Sequence, residues 1–345
     1  MNYKSTSIYI STNKGGTNMN NLYIGENNIR DLNIVNTKAI SYENSLSKTK
    51  PYYFIMEVNI DLSNTDTGDY TVTLVNSSFD TYTDWGDGTK NKEQSHTYTT
   101  SGNYTIISES YIKDLNIMTK FIIKKNNNCG FMFRNCNITQ IPDGFSIPDD
   151  TKTCQSMFYG NQLTSLPEGF VLPDSVTNCS YMFYKNKLTS LPRGFTIPNN
   201  VIYCNDMFSY NQLTSLPEGF TIPNSVTNCS TMFSYNQLTS LPEGFTIPDS
   251  VTNCQGMFSY NQLTSLPEGF TIPDSVTNCP NMFCNNENLT GSITIKNSQS
   301  TNENIIYHMI LNTQISEIRV PTAFPLTDDE IKESCGKSDV TVTRF

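Results

Sequence analysis

The chain has 345 residues and a formal net charge of −10, with 22 Lys and Arg against 32 Asp and Glu. This acidic balance argues against nucleic-acid binding, which needs a basic surface to follow the phosphates. No apolar run approaches the roughly 18 residues of a membrane span. The residues after Met1 also lack the apolar stretch of a signal peptide. We therefore expect neither membrane insertion nor ordinary export.

Residues 1–50 are polar and rich in Asn, with short alternations at Leu22–Gly25 and Ile29–Ile34. The Tyr-Ile-Gly phrase within the first of these is similar to the attachment segments at the start of many phage tail and baseplate proteins. That resemblance implies a segment that holds the chain to other virion or surface proteins. Because virion proteins assemble inside the host cell, it also implies surface placement without an export signal.

Residues 51–122 form the next predicted domain. The alternating stretches Tyr70–Leu74 and Tyr104–Ile107 predict strands, and Asp84–Thr89 predicts a strand that enters a glycine turn. The Trp-Gly-Asp-Gly phrase in that turn, with His-Thr-Tyr-Thr-Thr-Ser-Gly-Asn-Tyr at 96–104, resembles the PKD-type immunoglobulin-like β-sandwich. In that family such domains act as spacers in extracellular or virion proteins.

Residues 123–290 contain seven copies of a 25-residue unit. Each unit opens with Cys and repeats a Met-Phe pair. The first six units also repeat a Leu or Ile pair, the Phe of Gly-Phe and an Ile or Leu before Pro. No unit could bury so many one-sided apolar groups alone, whereas stacked units share a continuous core, which is the logic of a solenoid. Two prolines per unit disfavour helix, so we expect one brief strand per unit in Leu-Thr-Ser-Leu or Phe-Thr-Ile. The Met-Phe pairs begin at Met132, Met157, Met182, Met207, Met232, Met257 and Met282.

The phrases Asn-Gln-Leu-Thr-Ser-Leu-Pro-Glu-Gly and Ile-Pro-Asp-Ser-Val-Thr-Asn-Cys-x-x-Met-Phe resemble the BspA-type leucine-rich repeats of bacterial surface proteins. The resemblance covers residues 129 to about 290. With the PKD-like segment before it, it implies a mainly β fold: an immunoglobulin-like sandwich followed by a leucine-rich-repeat-type solenoid.

Two polar columns accompany the apolar ones. We interpret the opening cysteines as reduced, buried thiols, which suit a protein that folds in a reducing cytoplasm. An Asn in most units is expected to satisfy backbone groups of buried turns. The cysteines are Cys129, Cys154, Cys179, Cys204, Cys229, Cys254 and Cys279, and the asparagines are Asn161, Asn186, Asn211, Asn236, Asn261 and Asn286.

The tail, residues 291–345, alternates at Ser292–Ile295 and Asp339–Val342 and contains a possible helix at Thr327–Ser334. We interpret it as a cap over the open end of the solenoid, where an exposed strand edge would invite aggregation.

Enzyme chemistry has little support in the sequence. We expect His96 to hold a turn and His308 to pack in an apolar run. Asp84 and Asp87 suggest either a calcium site or a turn, and we favour the turn. With no Cys-x-x-Cys pair for zinc and no glycine-rich phosphate loop, we predict no enzyme and no cofactor.

Two exposed rows are candidates for ligand binding. Asp143, Glu168, Glu218, Glu243 and Glu268, interrupted by Arg193, form a row that we interpret as a solvated acidic face. The second row contains Tyr159 and Tyr184, then Tyr210, Tyr235 and Tyr260 beside Gln212, Gln237 and Gln262. Aromatic faces next to amides suit sugar rings, although these tyrosines could equally cover the edge of the core.

These features favour a non-enzymatic adhesion or recognition protein. The resemblances imply a virion component, in a phage tail or associated with the head, that binds a host-surface glycan or protein. A bacterial cell-surface adhesin of the BspA-like type and a purely structural virion protein are the alternatives.

Overall fold

The computed structural model describes residues 8–10, 22–24, 54–63, 69–74, 83–108, 118–123, 128–142, 144–298 and 305–345. Strands dominate over one short helix among these residues, so the fold is mainly β. Within these ranges no helix has the length and apolarity needed to cross a membrane. The chain forms two compact units, Met1–Ile112 and Lys113–Phe345. The alternation at Ile29–Ile34 and the side chain of Asp143 lie outside the described residues.

The first unit contains antiparallel strands. One sheet contains β6, β5, β8 and β3 side by side in that order, while β1 pairs with β2 and β4 pairs with β7. The strands predicted around Val72 and Ile106 are confirmed. The bounds are β1 (Ile8–Ile10), β2 (Leu22–Ile24), β3 (Phe54–Ile60), β4 (Tyr70–Thr73), β5 (Thr83–Asp84), β6 (Lys90–Asn91), β7 (Ser95–Tyr98) and β8 (Gly102–Ser108).

Trp85 anchors the core of this unit and is fully buried. Its indole Nε1 donates to Oδ1 of Asn91 at 2.9 Å, and its carbonyl accepts from the hydroxyl of Tyr98 at 2.7 Å. The next residue, Gly86, has φ of 85°, and a Cβ there would lie 2.6 Å from the carbonyl oxygen of Thr105. Only glycine fits both constraints, so the predicted glycine turn after β5 is confirmed.

The second unit contains the repeats and the tail. Strands β10 to β13 form one parallel sheet in chain order. The bounds are β9 (Met118–Ile123), β10 (Thr271–Ile272), β11 (Thr290–Ile295), β12 (Gln314–Val320), α1 (Asp328–Cys335) and β13 (Thr341–Arg344).

The predicted strand in every repeat is wrong. Of the Phe-Thr-Ile segments, only the one at Thr271–Ile272 forms a strand, and it does so by pairing with Thr294–Ile295 in the tail. The Leu-Thr-Ser-Leu segments form no strand. Neighbouring copies are joined by isolated backbone hydrogen bonds, such as the one from the Thr214 N–H to the Thr189 carbonyl at 3.3 Å. The repeats instead join through isolated parallel bridges at the residue before each Cys, as between Asn228 and Asn253.

The turn that begins at each Cys makes a regular series of backbone hydrogen bonds to the next repeat. In this turn alternate N–H groups point to the next repeat, as Phe208 donates to Met232 at 3.0 Å and Tyr210 to Ser234 at 3.0 Å. Counting from Cys, the third and seventh residues take left-handed backbone angles, as in Asp206 (φ 55°) and Tyr210 (φ 57°). The backbone therefore turns sharply and still donates hydrogen bonds to the next repeat.

The apolar residues predicted to face inward do so. The Phe of each Met-Phe pair is fully buried, and successive rings stack with centroids 5.5–5.8 Å apart. The seven opening cysteines are buried, as predicted. The Cys204 Sγ lies 3.7 Å from the Met232 Sδ, and burial raises the pKa of Cys229 to about 12. These thiols behave as core groups.

The asparagine column performs the predicted task. Nδ2 of Asn211 donates to the carbonyls of Phe183 at 2.9 Å and Phe208 at 3.0 Å, and its Oδ1 accepts from the N–H of Leu188 at 3.0 Å. One amide thus satisfies buried backbone groups in two repeats.

The stack continues beyond residue 290, into the segment assigned to the cap. Asn281 donates to the Tyr307 carbonyl at 2.8 Å, and His308 and Asn312 take the left-handed angles of third and seventh residues. Helix α1 and β13 follow this additional turn. The predicted helix is confirmed, and Thr327 is its N-cap in a capping box with Glu330.

Candidate ligand-binding surface

The three tyrosines singled out from the sequence occupy the seventh position of successive repeats. Tyr210, Tyr235 and Tyr260 have φ of 57°, 54° and 54°. Each N–H donates to the next repeat at 2.8–3.0 Å. The preceding Phe rings are buried, whereas these tyrosines are 39%, 37% and 45% exposed. The left-handed backbone angle at each tyrosine therefore turns its side chain to the surface, two residues after a Phe that faces the core.

The three rings stack on one another. Tyr210 and Tyr235 have ring centroids 4.2 Å apart with 11° between planes, and Tyr235 and Tyr260 have 4.2 Å and 9°. Because the stacked faces cover each other, they are not open to sugar rings. The sequence analysis had suggested separate open faces, and the structure corrects this. The exposed part of the stack is a row of ring edges and hydroxyls.

The stack extends towards the first repeats. Tyr184 lies 5.3 Å from Tyr210 at 59°, and Tyr159 lies 4.8 Å from Tyr184 at 20°. Both come one position earlier in their repeats, yet they continue the row with a change of tilt. We call Tyr159, Tyr184, Tyr210, Tyr235 and Tyr260 the tyrosine ladder.

The phenols of Tyr184 and Tyr235 stay protonated at neutral pH. Burial and then the neighbouring Tyr210 and Tyr159 raise the pKa of Tyr184 to about 12. For Tyr235, burial and hydrogen bonding to the hydroxyls of Tyr260 and Tyr210 raise the pKa far above its usual value. Each hydroxyl can therefore donate and accept hydrogen bonds along the row.

The predicted glutamine row follows the ladder. Gln212, Gln237 and Gln262 are exposed, and their backbone N–H groups donate to the previous repeat at 2.9–3.0 Å. Their side-chain amides make no hydrogen bond to any residue that the structure describes. They are available to a ligand two residues beyond each tyrosine.

Two cations lie over ladder rings, a feature that sequence reasoning missed. Cζ of Arg134 is 4.4 Å from the ring centroid of Tyr159. Nζ of Lys185 is 5.5 Å from that of Tyr184 and 5.6 Å from that of Tyr210. These distances are typical of cation–π contacts. The available signal was that Lys185 occupies the position that Tyr210 holds in the next repeat.

The acidic row lies on the surface in the described repeats. Glu168, Glu218, Glu243 and Glu268 are exposed, and so is Arg193. This exposure agrees with a solvated face.

Asp84 and Asp87 hold the turn after β5. Oδ2 of Asp84 pairs with Nζ of Lys90 at 2.6 Å, and its Oδ1 accepts from Gly86 at 3.1 Å. Asp87 pairs with Nε2 of His96 at 2.6 Å and accepts from the Thr89 N–H at 2.9 Å. The turn interpretation of both carboxylates and of His96 is confirmed. His308 packs on Tyr307 with ring centroids 3.9 Å apart.

Titratable groups do not converge elsewhere in the described ranges, where no three His, Cys, Asp or Glu side chains lie close enough to hold a metal ion. The tyrosine ladder with its glutamine row is therefore the candidate surface. No protein-family model matches the chain, and no curated protein matches it.

Proposed function

We propose that this chain is a non-enzymatic recognition protein that binds a linear, repetitive ligand, most simply a surface glycan, along the tyrosine ladder. The observation that carries the proposal is the register of Tyr210, Tyr235 and Tyr260, whose rings repeat at 4.2 Å on side chains that are partly exposed. In this proposal the repeats are a leucine-rich-repeat-type solenoid, whose rigidity keeps the row straight.

The chemistry of the row favours sugar polymers. The fourth to sixth repeats each offer one phenol hydroxyl and one glutamine amide, which together donate to and accept from hydroxyl groups. One such contact is weak, but several in register act through effective concentration. Affinity should therefore rise steeply with the number of sugar units.

The rest of the chain would place this surface. We propose that residues 51–122 form a PKD-like sandwich that acts as a spacer, and that the N-terminal segment, residues 1–50, attaches the chain to other virion or surface proteins. The resemblances support a virion component, with a bacterial adhesin as the alternative location. Either location leaves the binding surface the same.

The test is binding of neutral glycan oligomers of increasing length to the full chain. The variant Tyr210→Ser/Tyr235→Ser/Tyr260→Ser should lose the length dependence, while the exposed Glu218→Gln/Glu243→Gln should bind like the parent. Thermal unfolding of each variant checks that the fold is kept. Equal binding by the tyrosine variant would move the site elsewhere. Failure of the parent to bind any glycan or host cell would favour a protein that contacts only its virion neighbours.

A further inference from the structure

We propose that the ligand is anionic, a linear polymer with carboxylate or phosphate groups, and that Arg134, Lys185 and Lys187 bind an acidic group at the start of the ladder. This inference rests on the proposed function and names the class of ligand. It assigns charge recognition to the first three repeats, which contribute Arg134, Lys185 and Lys187.

The third repeat departs from its neighbours at both positions of the candidate surface. Lys185 stands where the next three repeats have Tyr210, Tyr235 and Tyr260, and Lys187 stands where they have Gln. The backbone is the same, since φ is 53° at Lys185 and 57° at Tyr210. The exchange therefore replaces two neutral contacts with two ammonium groups without altering the turn.

The aromatic rings help to position the cations. Lys185 lies over two rings and Arg134 lies over the outer ring of the ladder. All three cationic side chains are exposed, and none forms an ion pair with a residue that the structure describes. Their charge is not neutralised within these parts of the chain.

The carboxyl of Asp206, which acts electrostatically on the phenol of Tyr184, has hydrogen-bond partners of its own. Asp206 is half-buried, and Thr231, Asn205 and Tyr181 hydrogen-bond its carboxyl, while burial raises its pKa. Arg134 and Lys185 lie over the adjacent stacked rings of Tyr159 and Tyr184, and on a chain of net charge −10 such exposed cations attract anions locally. Ammonium and guanidinium groups form charge-assisted hydrogen bonds with both carboxylate and phosphate.

The experiment compares three probes of equal length: an oligogalacturonate, the same oligomer with its carboxyl groups reduced to alcohols, and a glycerol phosphate oligomer. Lys185→Tyr/Lys187→Gln gives the third repeat the residues of the fourth to sixth. The control Arg193→Glu restores the common residue of the acidic row and lowers the net charge by the same two units. The single variant Lys187→Gln provides a milder change if the double variant unfolds.

We expect the parent to prefer one or both acidic probes over the neutral one, with a preference that weakens as salt rises. The double variant should lose about fivefold to tenfold in affinity for the acidic probe, the effect of removing two exposed ion pairs. Arg193→Glu should not change it. The better acidic probe identifies carboxylate or phosphate as the recognised group.

Two results would overturn the inference. Equal binding of acidic and neutral probes by the parent would refute it and leave the proposed function standing. An acidic preference that survives the lysine exchange but falls with Arg193→Glu would assign the preference to another face or to net charge. If no probe binds, both proposals fail.

Discussion

The side-chain Nδ2 of Asn236 donates to the carbonyl oxygen of Phe208, 28 residues earlier, at 2.9 Å. The same amide also donates to the Phe233 carbonyl at 3.1 Å, and its Oδ1 accepts from the Leu213 N–H at 2.9 Å. Asn236 is 8% exposed. The side chain of Asn236 therefore hydrogen-bonds backbone groups of its own repeat and of the previous repeat.

Asn236→Ala should strongly destabilise the repeats. The change leaves the buried Leu213 N–H without its acceptor, while the carbonyls of Phe208 and Phe233 still accept from Asn211 and Asn261. One unpartnered buried group costs about 1–3 kcal/mol, and we expect the free energy of unfolding to fall by that amount. Asn236→Asp should be as harmful, because a carboxylate cannot donate to the two carbonyls. Urea unfolding followed by circular dichroism measures both. The neighbouring Gln237→Ala, which changes an exposed side chain, should be within about 0.5 kcal/mol of the parent.

The cysteine column predicts loss of stability at alkaline pH. Burial raises the pKa of Cys129 to about 11 and those of Cys179 and Cys229 to about 12, whereas an unfolded thiol titrates near about 8.5. The folded state holds its protons longer, so the stabilisation is complete below the unfolded pKa and is lost as pH rises through the folded values. Each thiol contributes a slope of about 1.4 kcal/mol per pH unit between them.

Unfolding by urea at pH 7 to 10 measures this slope, with Cys229→Ser/Cys254→Ser as the variant in which it is reduced. Thiol labelling at pH 8 should be slow in the native state and complete after unfolding. Fast native labelling of the column would contradict its burial. Strong destabilisation by a reductant would mean that some of these thiols are oxidised.

Phe220 tests the inward face of a central repeat. Its ring is 3% exposed and packs edge-to-face on Phe233 with centroids 5.7 Å apart. Phe220→Ala should lower the free energy of unfolding by about 3–5 kcal/mol. The exposed Glu218→Ala, two residues away, serves as the control and should change it by about 0.5 kcal/mol or less. Similar losses from both variants would be incompatible with the assigned faces.

The Asp87–His96 pair predicts acid sensitivity of the first unit. Partial burial acts to raise the pKa of Asp87, but hydrogen bonds from the Thr89 N–H and from His96 outweigh it and lower the pKa. The stabilisation is therefore present above the unfolded value of about 3.9 and is lost as pH falls through the folded value. Asp87→Asn should remove this dependence at a cost of at most about 1 kcal/mol at pH 7.

Trp85 is the single tryptophan of the chain and stacks on His96 with ring centroids 5.2 Å apart. Its fluorescence therefore reports acid unfolding of the first unit. The exposed Glu93→Gln should keep the profile of the parent. An acid transition unchanged by Asp87→Asn would assign the sensitivity to other carboxylates.

The two residues after each Cys vary between repeats. That variation alone predicts that changes at Ser230 and Thr231 cost little, and at Thr231 the structure corrects this prediction. Thr231 has φ of 52°, an angle that costs a branched residue about 1–3 kcal/mol, and it hydrogen-bonds the carboxyl of Asp206. The equivalent Gly256 meets the angle without strain. The position therefore varies because either a glycine or a hydrogen-bonded side chain can be accommodated at this left-handed backbone angle.

The sequence by itself determined the repeat period, the residues that face the core and the task of the asparagine column. One-sided apolar groups at a constant interval can be buried only by stacking, and a buried turn must find partners for its backbone. Phe208, Leu213 and Asn211 could therefore be assigned to the interior before any coordinates were known.

Only the tertiary structure decided how the tyrosines meet. Tyr184 and Tyr210 differ by one position in their repeats, yet their rings lie 5.3 Å apart. Whether rings offer faces or edges depends on the separation of successive turns and on left-handed backbone angles, neither of which residue spacing specifies. The same holds for Arg134, which reaches the ring of Tyr159 from the previous repeat because stacking brings residues 25 positions apart into contact.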